Sequence, residues 1–302
     1  MLFKPGTLRR LTENATVRAL DSGSLLPIDT EETFITQEGV TFLVRILSSL
    51  ALKELEQRRH EAAASQVLEP MNRNSGTVTP RNPFLPHDPA LFVADVSETH
   101  LGLLNKYPVI DHHLLIVTRQ FEDQEQLLSR ADFDALWTCL SEFNGLGFYN
   151  GGVKAGASQP HKHLQLVPLP LSHEGLSLPI HPLLELLPPG SHGERLPPFP
   201  FPHATARLAP DADADTAHQC FLNLLRHVGL PPHGEGQQPG SYNLLMQRDW
   251  MLVVPRSSEL SHGISVNALG FAGSLFVKNH EDLQRLREIG PMTLLTEVCA
   301  RP

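Results

Sequence analysis

The sequence predicts an α+β fold: a mostly antiparallel sheet packed by helices and built from two similar halves. Three observations predict it. Residues 100–118 form two apolar runs joined by turn formers at Tyr107, Pro108 and Asp111, a hairpin signature. A second hairpin pattern has runs at 242–247 and 250–255 around Arg248 and Asp249. Each hairpin pairs an early asparagine, Asn105 or Asn243, with a second apolar run. Between the first hairpin and the next strand, residues 131–146 have helical spacing, with Phe133, Leu136, Trp137 and Leu140 on one stripe. That stripe reads as core.

In chain order, residues 8–20 predict a short helix. Residues 42–53 mix apolar and polar positions in helix-like spacing, with Arg45 and Lys53 on the solvated side, before the charged run 54–59. Residues 72–89 are rich in Pro, Asn and Gly and read as loop. Residues 91–96 predict a strand ahead of the first hairpin, whose His112 and His113 read as turn residues. Residues 121–128 have helix spacing, like 131–146. Between 168 and 210, prolines such as Pro168, Pro170, Pro188, Pro189, Pro197 and Pro198 crowd the chain, which disfavours long helices and central strands. This stretch predicts a surface linker with a short helix at 180–187 and its histidines, His173, His181, His192 and His203, in solvent. Acidic residues at 211–215 predict a helix start that leads into 217–228. A loop at 231–240 precedes the second hairpin. Residues 266–278 form an apolar run broken by glycines, the pattern of a buried segment with close backbone approach. A charged helix at 281–288 closes the chain. The expected division is 1–170 for the catalytic half, 171–210 for the proline-rich linker and 211–302 for the second half.

Composition narrows the function. The 302 residues carry a net charge of −9 and are 41% hydrophobic, so nucleic acid is not the expected partner, and positive charge for any anionic ligand must be concentrated locally. Three cysteines, Cys139, Cys220 and Cys299, are widely spaced and fit free thiols in a reducing compartment. The first residues lack a signal-peptide pattern, and no run approaches the about 20 apolar residues of a membrane span. A cytoplasmic protein with no membrane partner is expected.

The chemistry concentrates at 148–170. Gly151, Gly152 and Gly156 open a loop ending in Ser158-Gln159, the kind of segment whose N–H groups cradle an anion. His161-Lys-His-Leu-Gln-Leu-Val167 follows and reads as a strand. Alternation puts His161, His163 and Gln165 on one face and Leu164 and Leu166, with the stem of Lys162, on the other. A bare His-x-His also suits a surface strand or a metal pair. Zinc, however, wants further ligands, and no cysteine pair is nearby. The Gly-Ala-Ser-Gln approach turns the reading toward phosphate chemistry.

His-Lys-His-Leu-Gln, preceded by Ser-Gln-Pro, resembles the active-site motif of the histidine triad superfamily, whose transferase branch carries Gln where the hydrolase branch carries a third His. Phe148-Tyr-Asn-Gly-Gly, Gly156-Ala-Ser-Gln-Pro-His-Lys-His-Leu-Gln and Val266-Asn-Ala-Leu-Gly-Phe-Ala-Gly-Ser resemble the ATP adenylyltransferase family, also called diadenosine tetraphosphate phosphorylases. Arg81-Asn-Pro-Phe-Leu-Pro also looks like that family. The resemblance runs from about residue 42 to 278. It implies a histidine-triad-like fold and a nucleotidyltransferase that phosphorolyses diadenosine tetraphosphate reversibly to ATP and ADP. Galactose-1-phosphate uridylyltransferases usually have His-Pro-His-x-Gln, from which Lys162 departs. A hydrolase of dinucleoside polyphosphates is a further alternative, against which Gln165 argues.

The resemblance implies His163 as nucleophile, His161 as the group that orients it, and Gln165 as a phosphate-oxygen ligand. Lys53, Lys106 and Lys278 are implied for outer phosphates, Asn105 and Asn150 for ribose or α-phosphate, and Gly156, Ala157, Ser158 and Gln159 for donors to developing charge. Asn267, Ala268, Leu269, Ser274 and Lys278 are implied to lie against substrate. Nucleotides and phosphate are the expected small-molecule partners. No protein-held cofactor or metal is expected, and Mg2+ is expected to accompany the nucleotide.

Overall fold

A computed structural model describes residues 2–48, 82–172, 177–234 and 236–300. The chain opens with helix α1 (Leu8–Asp21), whose Leu8, Thr12, Ala15 and Ala19 form one buried stripe. Strands β1 (Thr30–Gln37) and β2 (Val40–Leu47) follow as a hairpin. Strand β3 (Phe92–Asp95) precedes the hairpin of β4 (His100–Leu104) and β5 (Leu114–Thr118). Helix α2 (Arg130–Glu142) then leads to β6 (Gly145–Gly151) and β7 (His163–Pro168). Next come a single helical turn α3 (His181–Leu184), β8 (His192–Glu194) and β9 (Ala204–Arg207). Helix α4 (Ala214–His227) precedes the hairpin of β10 (Tyr242–Met246) and β11 (Trp250–Pro255). The short pair β12 (Leu260–Ser261) and β13 (Ile264–Ser265), the turn α5 (Ala268–Phe271), β14 (Ser274–Val277), α6 (His280–Ile289) and α7 (Pro291–Glu297) complete the order.

Nine strands form one sheet in the order β3-β4-β5-β7-β6-β10-β11-β9-β8. Its helical face is filled by Leu114, Ile116, Leu164, Leu166, Leu244, Met246, Met251 and Val253, packed against the apolar stripes of α1, α2 and α4. Its opposite face carries Leu146, Phe148, Val167, Leu245, Trp250, Leu252 and Val254. These pack with a three-stranded sheet, β1-β2-β14, and with apolar residues of α5, α6 and α7. Alternation along β7 therefore separates the two faces as its sequence requires, with Leu164 and Leu166 toward α2.

The sheet order shows the duplication. In the first half β4-β5-α2-β6-β7 pair in the order β4-β5-β7-β6; in the second, β8-β9-α4-β10-β11 pair in the order β8-β9-β11-β10. The halves meet at β6 and β10, which run antiparallel with Asn150 opposite Asn243. The expected partners of the repeat need correction. The hairpin at 242–255 repeats β6–β7, and the β4–β5 hairpin is repeated by β8–β9. Asn243 therefore corresponds to Asn150, not to Asn105, and Tyr149-Asn150 recurs as Tyr242-Asn243. The row that is His161, His163 and Gln165 in the first half has no histidine in β11, whose residues are apolar and buried.

Three local expectations also need correction. Residues 42–47 belong to strand β2, not to a helix; residues 49–53, including Lys53, lie outside the described residues, as does Arg81. β2 is central in its small sheet and buried on both faces, so it shows no alternation, and Arg45 is paired with Glu32 at 2.9 Å rather than solvated. Residues 121–128 are not helical. They run beside 160–162, with Lys162 N–H on the Glu122 carbonyl at 2.8 Å and Gln124 N–H on the Pro160 carbonyl at 2.7 Å. The predicted helix at 131–146 stops at Glu142, and Gly145 begins β6. Ser129 and Asp132 form the capping box that starts it.

The proline-rich stretch does not keep to the surface. Leu178, Ile180, Leu184, Leu196, Phe199 and Phe201 are buried against the second face of the sheet, and β8 and β9 extend the sheet at its edge. His203 is buried and its Nε2 accepts from the Leu196 N–H, whereas His181 and His192 are exposed; His173 lies outside the described residues. Residues 8–20, 91–96, 100–118, 217–228, 242–255 and 281–288 adopt the predicted element types, but the 281–288 helix does not close the chain, because α7 follows it.

Candidate active site

The face of β7 turned away from α2 opens onto a cleft of about 480 Å³. His163 and Gln165 line its floor, on a strand flanked by β5 and β6. Asn105 and Lys106, from the β4–β5 turn, line it too, as do Asn150 at the end of β6 and Gly156, Ser158 and Gln159 from the loop that follows. Asn267 and Leu269 are contributed by the second half.

The imidazole of His163 is oriented by backbone. Its Nδ1 donates to the carbonyl of His161 at 2.8 Å, so in the neutral ring the lone pair resides on Nε2, which has no hydrogen-bond partner among the described residues. Burial pushes its pKa down to about 4. The ring is therefore neutral across the physiological range. His161 itself turns elsewhere. Its Nε2 donates to the Thr118 carbonyl at 2.8 Å, Asn82 Nδ2 donates to its Nδ1 at 2.9 Å, and burial lowers its pKa. The His161 contact with its neighbour is thus made by the backbone carbonyl, not the ring. Phe84 packs on both imidazoles, with ring centroids 5.6 Å from His161 and 5.3 Å from His163.

Gln124 enters the sheet where β6 and β7 part. The paired register ends at Phe148 opposite Gln165, and one step further its carboxamide bridges the strands. Oε1 accepts from His163 N–H at 2.9 Å, and Nε2 donates to the Asn150 carbonyl at 2.9 Å. A buried primary amide here replaces the ladder and leaves both strand ends satisfied while they splay apart around the cleft.

A relay fixes Gln165. Tyr107 N–H donates to Asn105 Oδ1, so Asn105 Nδ2 faces His113 Nδ1 at 3.1 Å. His113 Nε2–H then donates to Gln165 Oε1 at 2.9 Å. Burial pushes the His113 pKa down to about 4, which keeps the ring a one-donor, one-acceptor link. Gln165 is left to present its amide N–H groups to the cleft. His113, expected to be a turn residue, is thus part of the site. Its signal was alternation: His113, Leu115 and Val117 share the face of Gln165 and His163 across the β5–β7 ladder.

Asn150 is oriented in the same sense. Its Oδ1 accepts from Ala268 N–H and Asn243 Nδ2, both at 2.9 Å, which leaves its Nδ2 for the cleft. In the loop, Gly152 and Gly156 take φ of 93° and 88°. Gly156 N–H bonds the Val153 carbonyl and Ala157 N–H the Gly152 carbonyl, while the N–H groups of Ser158 and Gln159, which line the cleft, bond no backbone carbonyl among the described residues. Ala157 and Ala268 do not themselves line the cleft; Ala268 acts through its N–H. Ser274 is buried on β14 with its Oγ accepting from Arg45 at 3.1 Å, and Lys278 is exposed beyond that strand. Neither lines the cleft.

On the other face Lys162 is buried and paired. Its Nζ lies 2.8 Å from Asp132 and 3.0 Å from Glu122. Burial would raise the Asp132 carboxyl, but the hydrogen bond from His100 and the charge of Lys162 outweigh it and hold its pKa at about 2. The α2 capping box, which contains Asp132, thereby anchors the residue between the two histidines.

A neutral buried imidazole with its free nitrogen in a cleft, a glycine loop beside it and carboxamide N–H groups facing inward define a histidine-triad-like transferase with Gln at the third position. The comparisons agree. A family model described as the Ap4A phosphorylase N-terminal domain matches residues 1–186, and one described as the ATP adenylyltransferase C-terminal domain matches residues 197–301. The chain belongs to the Ap4A phosphorylase family. It is 31% identical over 257 residues to the Saccharomyces cerevisiae protein named diadenosine 5',5'''-P1,P4-tetraphosphate phosphorylase 2, covering 75% of this chain and 78% of that protein. It is 25% identical over 312 residues to the Saccharomyces cerevisiae Protein APA1, covering 94% and 91%. The crystal structure of yeast Ap4A phosphorylase Apa2 superposes with a TM-score of 0.77 at 24% identity, covering 99% of this chain and 95% of that one. The same protein in complex with Ap4A gives 0.77, covering 99% and 98%.

Proposed function

We propose that the protein is a nucleotidyltransferase that phosphorolyses diadenosine tetraphosphate to ATP and ADP, reversibly, through an adenylyl group carried on His163. The observation that carries the reading is the His163 imidazole: neutral, with Nδ1–H bonded to the His161 carbonyl and Nε2 turned to the cleft. Membership of the family and 31% identity to a named phosphorylase support the substrate.

In the first step the Nε2 lone pair attacks the α-phosphorus. A P–N bond forms, the bond from that phosphorus to the bridging oxygen breaks, and ATP leaves with the electron pair. The ring gains positive character, which the Nδ1–H bond to the His161 carbonyl stabilises. In the second step an oxygen of inorganic phosphate attacks the same phosphorus, the P–N bond breaks, ADP leaves and His163 returns to its neutral form. Leaving group and acceptor are both phosphate anions, so neither step needs a general acid. Gln165, which cannot donate a proton as an acid, suits that chemistry where a third histidine would not. The amide N–H groups of Gln165 and Asn150, with the Ser158 and Gln159 N–H groups, face the developing charge. Lys106 is assigned to the outer phosphates, and Asn105 acts through His113. Magnesium enters with the polyphosphate.

Among the described residues no helix is long and apolar enough to cross a membrane, and the three cysteines are free and buried. Work in a reducing cytoplasm fits the free cysteines. The test is product analysis. ATP and ADP are expected from diadenosine tetraphosphate only when phosphate is supplied; ATP and AMP without phosphate would make the protein a hydrolase.

A further inference from the structure

The second half of the fold has lost the histidine row but keeps one buried charge beside the site. Arg256 follows β11 and is 3% exposed. Its N–H bonds the Ser241 carbonyl, which places it opposite Ser241 as Gln165 stands opposite Phe148. By the β6–β10 pairing that relates the halves, Arg256 is the counterpart of Gln165.

Its bonds converge on the cleft walls. Nη1 reaches Asn243 Oδ1 and the Ala155 carbonyl, the latter at 3.4 Å. Nη2 donates to the Val266 and Ser258 carbonyls, each at 2.8 Å, and Nε donates to the Val298 carbonyl. Ala155 immediately precedes Gly156 of the glycine loop, and Val266 immediately precedes Asn267. All of these acceptors are neutral. The other buried cations, Arg45 and Lys162, are ion-paired at 2.9 and 2.8 Å, whereas Arg256 makes no ion pair among the described residues; Cys299 and Glu259 act on it only through space. Burial lowers that pKa to about 10, so the guanidinium stays charged at neutral pH.

Arg256 also sets the direction of a chain of amides. A guanidinium only donates, so Asn243 must turn Oδ1 to it. Asn243 Nδ2 then donates to Asn150 Oδ1 and to the Ala155 carbonyl, both at 2.9 Å. Asn150, so held together with Ala268 N–H, turns its own Nδ2 to the cleft. The sequence of donors ends on a group aimed where the proposed reaction places negative charge.

We propose that Arg256 and Asn243 are positioning residues for the phosphate chain: through Asn150 and the Ala155 carbonyl they hold the inward-facing donors, over a cation that no carboxylate pairs among the described residues. The proposal rests on the nucleotide reading of the cleft. It assigns to the non-catalytic half the task of holding the groups that bind phosphate, not those that bind nucleoside.

The test compares binding of α,β-methylene-ATP and of adenosine to wild type, Asn243→Asp, Arg256→Met and Arg256→Lys, with melting temperatures measured in parallel. The carboxylate introduced by Asn243→Asp would pair with Arg256 but face Asn150 Oδ1 and the Ala155 carbonyl with an acceptor. The expected result is a loss of about tenfold or more for the ATP analogue in N243D and R256M, with adenosine affinity within about threefold of wild type. R256K, which keeps a charged donor, is expected to retain most of the affinity for the analogue. ATP-analogue binding unchanged in a folded N243D or R256M would overturn the proposal. So would equal losses for both ligands, or an R256K as impaired as R256M. If N243D does not fold, R256M and R256K decide. A wild type that binds neither ligand would instead sink the nucleotide reading itself.

Discussion

The Nδ1 of His163 lies 2.8 Å from the backbone carbonyl of His161, and this one bond decides which nitrogen of the ring does chemistry. A carbonyl only accepts, so Nδ1 holds the proton and Nε2 holds the lone pair. Because the acceptor is main chain, any residue at 161 that preserves the local backbone supplies it. His161→Asn is therefore expected to retain measurable turnover, whereas His163→Ala is expected to lose it below detection; steady-state rates for the two variants check this.

Burial holds His163 and His113 near a pKa of about 4, below the ordinary value of roughly 6.5. Both rings favour the neutral form in the folded state, so the unfolded chain binds more protons between those values. Folding stability is expected to rise as pH rises from 4 to 6.5 and to level off above it. The acid limb of kcat/KM is expected below pH 5. A limb centred near 6.5 would contradict the environment assigned to His163.

His113 fixes the amide of Gln165 through a 2.9 Å bond. His113→Phe keeps a ring of similar bulk on the face where Phe148 packs, 5.8 Å away, but removes the donor. Gln165 is then free to rotate. A fall in kcat of about tenfold or more is expected, with a melting temperature reduced only modestly. Stopped assays on the purified variant, with thermal melts, measure both.

Asp132 holds Lys162 and His100 and closes the α2 capping box. Asp132→Ala leaves a buried ammonium facing only Glu122 and the Leu127 carbonyl. A loss of about 3–5 kcal/mol is expected. Lys162→Met, which removes the cation rather than stranding it, is expected to cost less. Chemical denaturation of both variants orders them, and a milder effect for Asp132→Ala would contradict the network.

Gly156 adopts φ of 88°, and a Cβ there would sit 3.0 Å from Asn267 Cα and from the Val266 carbonyl oxygen. Both obstacles are backbone and cannot swing aside. Gly156→Ala is expected to displace the loop and slow turnover on the order of a hundredfold, with smaller effect on stability. Steady-state kinetics and thermal melts of this variant test the loop geometry.

The legible parts of the sequence were those whose pattern is local. The hairpins, the α2 stripe and the row His161, His163, Gln165 follow from alternation and spacing, and the glycine loop from its composition. What escaped was set by tertiary context. β2 is covered on both faces and so showed no alternation, and residues 121–128 are held extended by main-chain bonds to 160–162 and by the Gln124 carboxamide. Asn105 and Asn243 each stand ahead of a second apolar run in the sequence, but Asn105 lies in a turn and Asn243 in a strand, where the sheet pairs it with Asn150. His113 follows closely on the turn formers at 107–111; His112 is a turn residue, with φ of 57°, but the next residue already faces strand β7. Ser274 and Lys278 follow the motif that carries Asn267, yet neither lines the cleft: Ser274 is bound to Arg45 and Lys278 is exposed beyond β14.

The central claim is a covalent adenylyl group on Nε2 of His163. The direct measurement is the mass of the intact protein after incubation with diadenosine tetraphosphate without phosphate, followed by peptide mapping under mildly alkaline conditions that preserve a phosphoramidate. One added adenylyl group on the peptide containing His163, discharged as ADP when phosphate is supplied and missing in His163→Ala, is the predicted result. Turnover without any covalent species, or label that persists in His163→Ala, would contradict the account.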